Sequence, residues 1–166
     1  MVKSWGVAGL LFLMAVAWSA PLGAMDQPGP DAEALWKLVN QDPNFHQWGT
    51  WPEFAKMKRS FSPHGFYVRI FANDVALKHR GPSLPPGSIL VREGFGIDTN
   101  TYAPNTEVIA YTVMYKIAGY NPQVGDWFWA RYSGTGKVME SGKLVQCIAC
   151  HDTGRDNDFV LDHKVR

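Results

Sequence analysis

The two cysteines of this chain lie in one short motif near its C-terminal end. Residues 147–151 read Cys-Ile-Ala-Cys-His, and no other cysteine occurs in the 166 residues. A C-x-x-C-H motif is the signature for covalent attachment of c-type haem. Two thiols one helical turn apart can bond to the porphyrin, and the adjacent histidine can then bind the iron. The motif therefore predicts one covalently bound haem c, attached through Cys147 and Cys150 and coordinated by His151.

Three other kinds of site compete with haem attachment as interpretations of the cysteine motif. A redox-active C-x-x-C is expected near the start of a βαβ unit, whereas this motif lies close to the C-terminus. A zinc site needs two further ligands, and only His163 lies nearby in the sequence. A plain disulfide is the remaining alternative, in an oxidising compartment. The haem interpretation is the strongest for an exported chain with no other cysteine.

The first 24 residues are typical of a secretory signal peptide. Lys3 supplies the positive charge, residues 6–17 form an apolar run, and small residues lead to a cleavage site after Ala24. An uncleaved anchor is the alternative, but the apolar run is shorter than the roughly 20 residues that span a membrane. We therefore expect a periplasmic protein with no stable membrane span after signal removal.

Composition limits the partners and the fold of the mature chain. The formal net charge is +1, so no basic field for nucleic acid exists and no nucleic acid partner is expected. Hydrophobic residues make up 46% of the chain, which excludes disorder as the dominant state. Aromatic residues make up 13%, more than packing alone requires, which favours a fold that encloses a large apolar group.

Strand patterns dominate the middle of the chain. Apolar, β-branched and aromatic residues predict strands over residues 65–72, 88–93, 107–117, 126–132 and 137–140. Short turns rich in Gly, Pro and Asn join them, which predicts an antiparallel sheet. An apolar stripe after Asp31 predicts a short helix, and a second short helix is predicted around residues 73–79.

The predicted fold class is α+β, with a predominantly antiparallel β-sheet, a few short helices and a C-terminal haem attachment segment. The predicted organisation is a signal peptide over residues 1–24, a leader and short helix over residues 25–43, and one haem domain over residues 44–166.

The position of the haem motif narrows the class of haem protein. Electron-transfer cytochromes c commonly carry the motif near the N-terminus and a methionine ligand downstream, but no methionine follows His151. Met57, Met114 and Met139 lie upstream, and Met114 in particular fits a core position. The helical-bundle cytochromes c′ also carry a C-terminal motif, but residues 65–140 do not favour helices. An open sixth position on the iron is therefore predicted, which favours ligand binding or catalysis.

A series of short segments precedes and follows the haem motif in a definite order. They are residues 64–65, 68–69, 73, 86–89, 91–93, 112–116, 125–129, 147–151 and 158–160. In this order they resemble the cytochrome P-460 family, which includes the β-sheet cytochromes c′ (cytochrome c′-β). The resemblance implies a small antiparallel-β haem protein, often a homodimer, with five-coordinate iron. It also suggests an aromatic distal cap, for which the candidates are Phe66, Phe71, Phe95 and Tyr111, although ordinary core packing is the favoured role of each.

One position departs from the family pattern. The hydroxylamine-oxidising members carry a covalent link between a lysine and the porphyrin, and the matching position here is Arg92. A guanidinium stays protonated and is a poor nucleophile, so Arg92 is not expected to form that link. Lys116 is the other lysine within a strand-like segment of the match and is the less favoured candidate.

Arg92 and Glu93 are the tentative distal-pocket residues. An inward-facing Arg92 can donate hydrogen bonds to an iron-bound ligand or pair with a haem propionate, and the alternative is an outward-facing surface arginine. Strand alternation places Glu93 on the opposite face from Arg92. Glu93 therefore joins the pocket only if a bulge or the following Gly94 re-aims it.

The sequence thus predicts an exported monohaem c-type cytochrome with five-coordinate iron that binds or oxidises small nitrogen species such as hydroxylamine or nitric oxide. The alternatives are a nitric-oxide-binding protein without turnover and a simple electron-transfer cytochrome c. Expected partners are the small ligand, a soluble redox partner and, in a homodimer, a second copy of the chain.

Overall fold

A computed structural model of the chain describes residues 27–61 and 63–165. The predicted signal peptide, residues 1–24, lies outside the described residues. Within them, no helix combines the length and the apolar character needed to cross a membrane.

A six-stranded antiparallel sheet forms the centre of the described chain. Its strands lie side by side in sequence order, each paired with the next. They are β1 (Lys58–Arg59), β2 (Tyr67–Ala72), β3 (Ile89–Ile97), β4 (Pro104–Lys116), β5 (Trp127–Ser133) and β6 (Val138–Gly142). The predicted α+β fold is confirmed. The two-residue β1 was not predicted, because so short a segment shows no alternation in its sequence.

Three short α-helices flank the sheet: α1 (Ala32–Val39), α2 (Asp74–Leu77) and α3 (Val145–His151). The Asp31 carboxylate caps α1 by accepting a 3.0 Å hydrogen bond from the Ala34 backbone N–H. Asn73 caps α2 in the same way, through a 3.1 Å hydrogen bond from Ala76. Helix α3 carries the cysteine motif and leads into a 3₁₀ turn, Asp152–Asn157.

Side-chain alternation along the strands divides the core between the two faces of the sheet. We call them the α1 face and the α3 face, after the helix that covers each. The core of the α1 face includes Leu35, Val39, Phe45, Val91, Val113 and Tyr132. The core of the α3 face includes Trp51, Phe54, Ile70, Leu90, Trp127, Trp129, Phe159 and Val160. Both faces of the sheet are therefore buried.

A buried ion pair joins the C-terminal segment to the α3 face. The Lys116 ammonium, at the end of β4, contacts the Asp158 carboxylate, and the two residues are 5% and 7% exposed. The other Asp158 carboxylate oxygen accepts a 2.8 Å hydrogen bond from the Leu84 backbone N–H. A buried charge is tolerated only when it is paired and hydrogen-bonded, as both are here. This pair fixes the segment that follows α3.

Gly94 lets another segment of the chain cross closely over β3. A Cβ atom at this position would lie 1.9 Å from the His64 carbonyl oxygen, which no side chain can accommodate. The crossing segment continues into Gly65, whose φ of +98° also favours glycine. These two glycines place His64 against the sheet.

Candidate functional site

The cysteine motif occupies the last turn and a half of α3. Cys147 is half-buried, Cys150 is exposed, and the two are not joined by a disulfide. His151 is the final residue of the helix and is 4% exposed. Residues three and four apart lie on the same side of a helix, so Cys147 shares one side with both Cys150 and His151. Burial is the main reason that the pKa of the Cys147 thiol is raised, and Glu140 adds to it.

The His151 ring is oriented by one hydrogen bond. Its Nδ1 lies 2.7 Å from the Phe159 carbonyl oxygen, and because a carbonyl only accepts, Nδ1 carries the proton. Nε2 has no hydrogen-bond partner among the described residues. Burial lowers the pKa of His151 to about 4, against the opposing effect of the Phe159 hydrogen bond. The ring is thus neutral at pH 7 with an unprotonated Nε2, the form that binds a metal.

His151 and Cys147 line a cavity between α3 and the sheet. Its volume is about 40 Å³, below the roughly 300–1,000 Å³ that is typical of cofactor and ligand sites, so the walls of the cavity lie close together. The wall is mostly apolar. It includes Trp51, Phe54, Ile70, Leu90, Trp129 and Val160. The Trp129 ring lies against the His151 ring, with their centroids 4.7 Å apart.

A polar row crosses the cavity floor. Arg92, Thr112 and Arg131 are direct neighbours on β3, β4 and β5, so all three side chains lie on the α3 face. Burial lowers the pKa of Arg92. Arg131 pairs with Glu140 at 2.6 Å through Nη1, whereas its buried Nε has no partner among the described residues. All three side chains in the row offer hydrogen-bond donors.

His64 is a pocket residue that no sequence motif indicated. Its Nδ1 lies 3.0 Å from the Thr112 hydroxyl, and its ring centroid lies 6.2 Å from that of His151. Burial lowers the pKa of His64 to about 3, with help from the charges of Arg92 and Arg131, so the ring is neutral at pH 7. Residues 64–65 contributed to the family resemblance, but nothing in the sequence assigned a role to His64.

The structure separates the two tentative distal residues. Arg92 lines the cavity, whereas Glu93 lies on the α1 face, 1% exposed. There, Glu93 contacts His46 Nε2 at 2.8 Å and Arg69 Nε at 2.9 Å, although the second contact is an ion-pair distance without hydrogen-bond alignment. The register shift in β3 begins only after Gly94, so it does not re-aim Glu93.

The suggested aromatic cap is not formed by the residues named for it. Phe71 and Tyr111 pack in the core of the α1 face, and Phe66 is 57% exposed. Neither these three nor Phe95 line the cavity. The sequence resemblance fixed their order along the chain but not the face on which each side chain falls.

Lys116 does not lie on the cavity wall. Its ammonium is held by Asp158 and donates a 3.0 Å hydrogen bond to the Ser83 hydroxyl. A lysine engaged in this way is not free to act as a nucleophile, because that role needs the unprotonated amine. The less favoured candidate for a porphyrin link is therefore committed to a structural contact.

The donor set fits a haem better than it fits a bare metal ion. Within residues 27–61 and 63–165, no group of three or more His, Cys, Asp or Glu side chains could hold a metal ion. The cavity instead combines two neutral imidazoles, those of His151 and His64, with a thiol at the wall and apolar surfaces. Buried donors without partners, Trp129 Nε1 and Arg131 Nε, also lie on lining residues. A porphyrin with carboxylate side groups matches this combination.

A protein-family model matches most of the chain. The family model described as Cytochrome P460 matches residues 33–162, which run from α1 to the segment after α3. A comparison with curated proteins returned no significant match.

Replacing His151 with alanine should remove the axial ligand while leaving the two thiols in place. We expect the absorption spectrum of the ferrous protein to lose the features of histidine ligation, because no other imidazole nitrogen is presented by α3. The matched control is His79→Ala, which removes a half-buried histidine outside the cavity. An unchanged spectrum in His151→Ala would refute the assignment.

Proposed function

Because the chain belongs to the cytochrome P460 family, whose members bind haem c, we propose that it is an exported monohaem cytochrome that binds a small nitrogen species, nitric oxide or hydroxylamine. The observation that carries this proposal is His151: a buried, neutral imidazole, held through Nδ1 by the Phe159 carbonyl, with Nε2 free beside an apolar cavity. Cys147 and Cys150 would attach the porphyrin, and His151 would coordinate the iron. A haem iron held this way supplies an exchangeable position for a small ligand.

Five-coordinate iron is what the family resemblance implies. His64 and Met114 are the lining residues that could supply a second axial ligand. Met114 packs against the core of the α3 face, and the Thr112 contact engages only Nδ1 of His64. Simple electron transfer remains the alternative, favoured by the presence of these two side chains on the wall. A low-spin, six-coordinate resting spectrum would support that alternative.

The cavity favours ligand binding over hydroxylamine oxidation. Oxidation requires a base that takes protons from the substrate. The described lining residues include no carboxylate, and Glu93 faces the other side of the sheet. His64 is the remaining base, but its pKa of about 3 makes it a weak one at pH 7. Arg92 is instead suited to donate hydrogen bonds to a bound ligand.

The remaining parts of the proposal follow from the sequence. The signal peptide would direct the chain to the periplasm, where a soluble redox partner would set the oxidation state of the iron. A homodimer is expected from the family resemblance.

The number of covalent attachments tests whether a lysine joins the porphyrin. We expect the intact mass and peptide map of the holoprotein to show two thioether links, at Cys147 and Cys150, and no link to lysine. Cys147→Ser should leave a single thioether at Cys150. A third attachment, through any lysine, would contradict the account of Arg92 and Lys116.

Arg92→Gln tests the proposed contact with the ligand. A hydrogen bond from a charged donor contributes about 1.5–3 kcal/mol, so nitric oxide should dissociate from the ferrous protein at least about 10-fold faster. Stopped-flow measurement of the dissociation rate checks this, with the exposed Arg80→Gln as control. Equal rates in both variants would show that Arg92 does not contact the ligand.

A hydroxylamine oxidation assay distinguishes the ligand-binding function from the enzymatic one. We expect the holoprotein to bind nitric oxide but to reduce an artificial electron acceptor with hydroxylamine no faster than His151→Ala does, since the described cavity wall offers no effective base. Rapid, saturable reduction by the unmodified protein would overturn the preference for binding and favour the oxidase.

A further inference from the structure

The segment after α3 contains two adjacent residues with left-handed backbone conformations. The φ angles are +57° for Asp158 and +62° for Phe159. This conformation is unfavourable for residues other than glycine, and it persists only where surrounding contacts enforce it. Phe159 is also the residue whose carbonyl oxygen orients His151. The strained backbone therefore lies directly behind the histidine.

Three contacts from the sheet and its loops hold Asp158. Its carboxylate contacts the Lys116 ammonium from β4 and accepts a 2.8 Å hydrogen bond from the Leu84 N–H. Its backbone carbonyl accepts a 2.8 Å hydrogen bond from Trp127 Nε1 on β5. The Phe159 N–H, in turn, donates to the Gly154 carbonyl at 2.8 Å. The backbone on both sides of the Phe159 carbonyl is thus fixed.

We propose that the Lys116–Asp158 ion pair positions the axial histidine, His151. The pair enforces the left-handed backbone conformation that presents the Phe159 carbonyl to His151 Nδ1. It thereby sets how strongly His151 donates electron density to the iron. This inference rests on the proposed haem site at His151. A carbonyl that accepts from the far nitrogen of a ligating histidine fixes the ring and raises its basicity. The ion pair acts on the iron only through that carbonyl.

Loss of the ion pair has a defined consequence for His151. Without the Lys116 ammonium, residues 158–159 can relax towards more favourable backbone angles, and the Phe159 carbonyl turns away from Nδ1. The imidazole then becomes a weaker donor, which stabilises the ferric state less and raises the reduction potential. If the ion pair only stabilised the fold, its loss would lower the stability of the protein without changing the reduction potential.

Two substitutions at Lys116 separate these roles. In the holoprotein, Lys116→Met should lower the frequency of the iron–histidine stretching band in resonance Raman spectra of the ferrous protein and raise the reduction potential. Lys116→Arg keeps the cation and should resemble the unmodified protein in both. Lys37→Met, on the exposed side of α1, controls for the loss of a lysine.

A Lys116→Met holoprotein that is less stable in urea but has an unchanged band and potential would overturn the inference. If that variant does not accumulate, Lys116→Gln removes the cation while keeping a polar side chain, and an unchanged band and potential there would overturn it equally. Failure of the proposed function looks different: the unmodified protein would itself lack a band that depends on His151, and both proposals would fall.

Discussion

The alternation of side chains across one sheet is the constraint on which the rest of the molecule depends. Successive residues of β3 face opposite sides, so Arg92 enters the cavity while Glu93 is buried behind it. Because both faces carry apolar side chains, each needs a cover. Helix α1 covers one face, and α3 with the segment that follows it covers the other. The haem motif is therefore part of the layer that closes the fold.

The two faces differ in their charged groups, and this difference bears on function. On the α1 face, the buried Glu93 carboxylate lies between His46 and Arg69. On the α3 face, Arg92 and Arg131 accompany two neutral histidines, and the only buried carboxylate of the C-terminal segment, Asp158, is paired with Lys116. The lining residues of the cavity carry donors and no carboxylate, and the nearest acids, Glu140 and Asp162, act on Arg131 and Arg92 from outside the lining. This lining suits a bound ligand that accepts hydrogen bonds.

Much of this arrangement could be predicted from the sequence. The strand positions followed from local patterns, and alternation alone placed Arg92 and Glu93 on opposite faces. The position of the cysteine motif indicated a C-terminal haem segment. The aromatic excess was expected to enclose an apolar group, and Trp51, Phe54 and Trp129 do line the cavity. These features depend on neighbouring residues, whose properties can be read directly from the sequence.

The features that escaped prediction depend on distant contacts. His64 enters the cavity because its segment crosses β3 at Gly94, and a lone histidine beside a glycine gives no sign of such a crossing. The pairing of Lys116 with Asp158 joins residues far apart in sequence, and neither belongs to a recognisable motif. The aromatic-cap candidates fell on the wrong face or on the surface for the same reason. These positions are set by the register of the strands and by where one segment crosses another, and neither produces a local pattern in the sequence.

A crystal structure of the holoprotein would show where the haem lies and which residue binds its iron. We predict a haem on the α3 face, joined to Cys147 and Cys150, with His151 Nε2 on the iron and His151 Nδ1 still bonded to the Phe159 carbonyl. A haem coordinated by a histidine other than His151, or bound against the α1 face, would contradict this prediction.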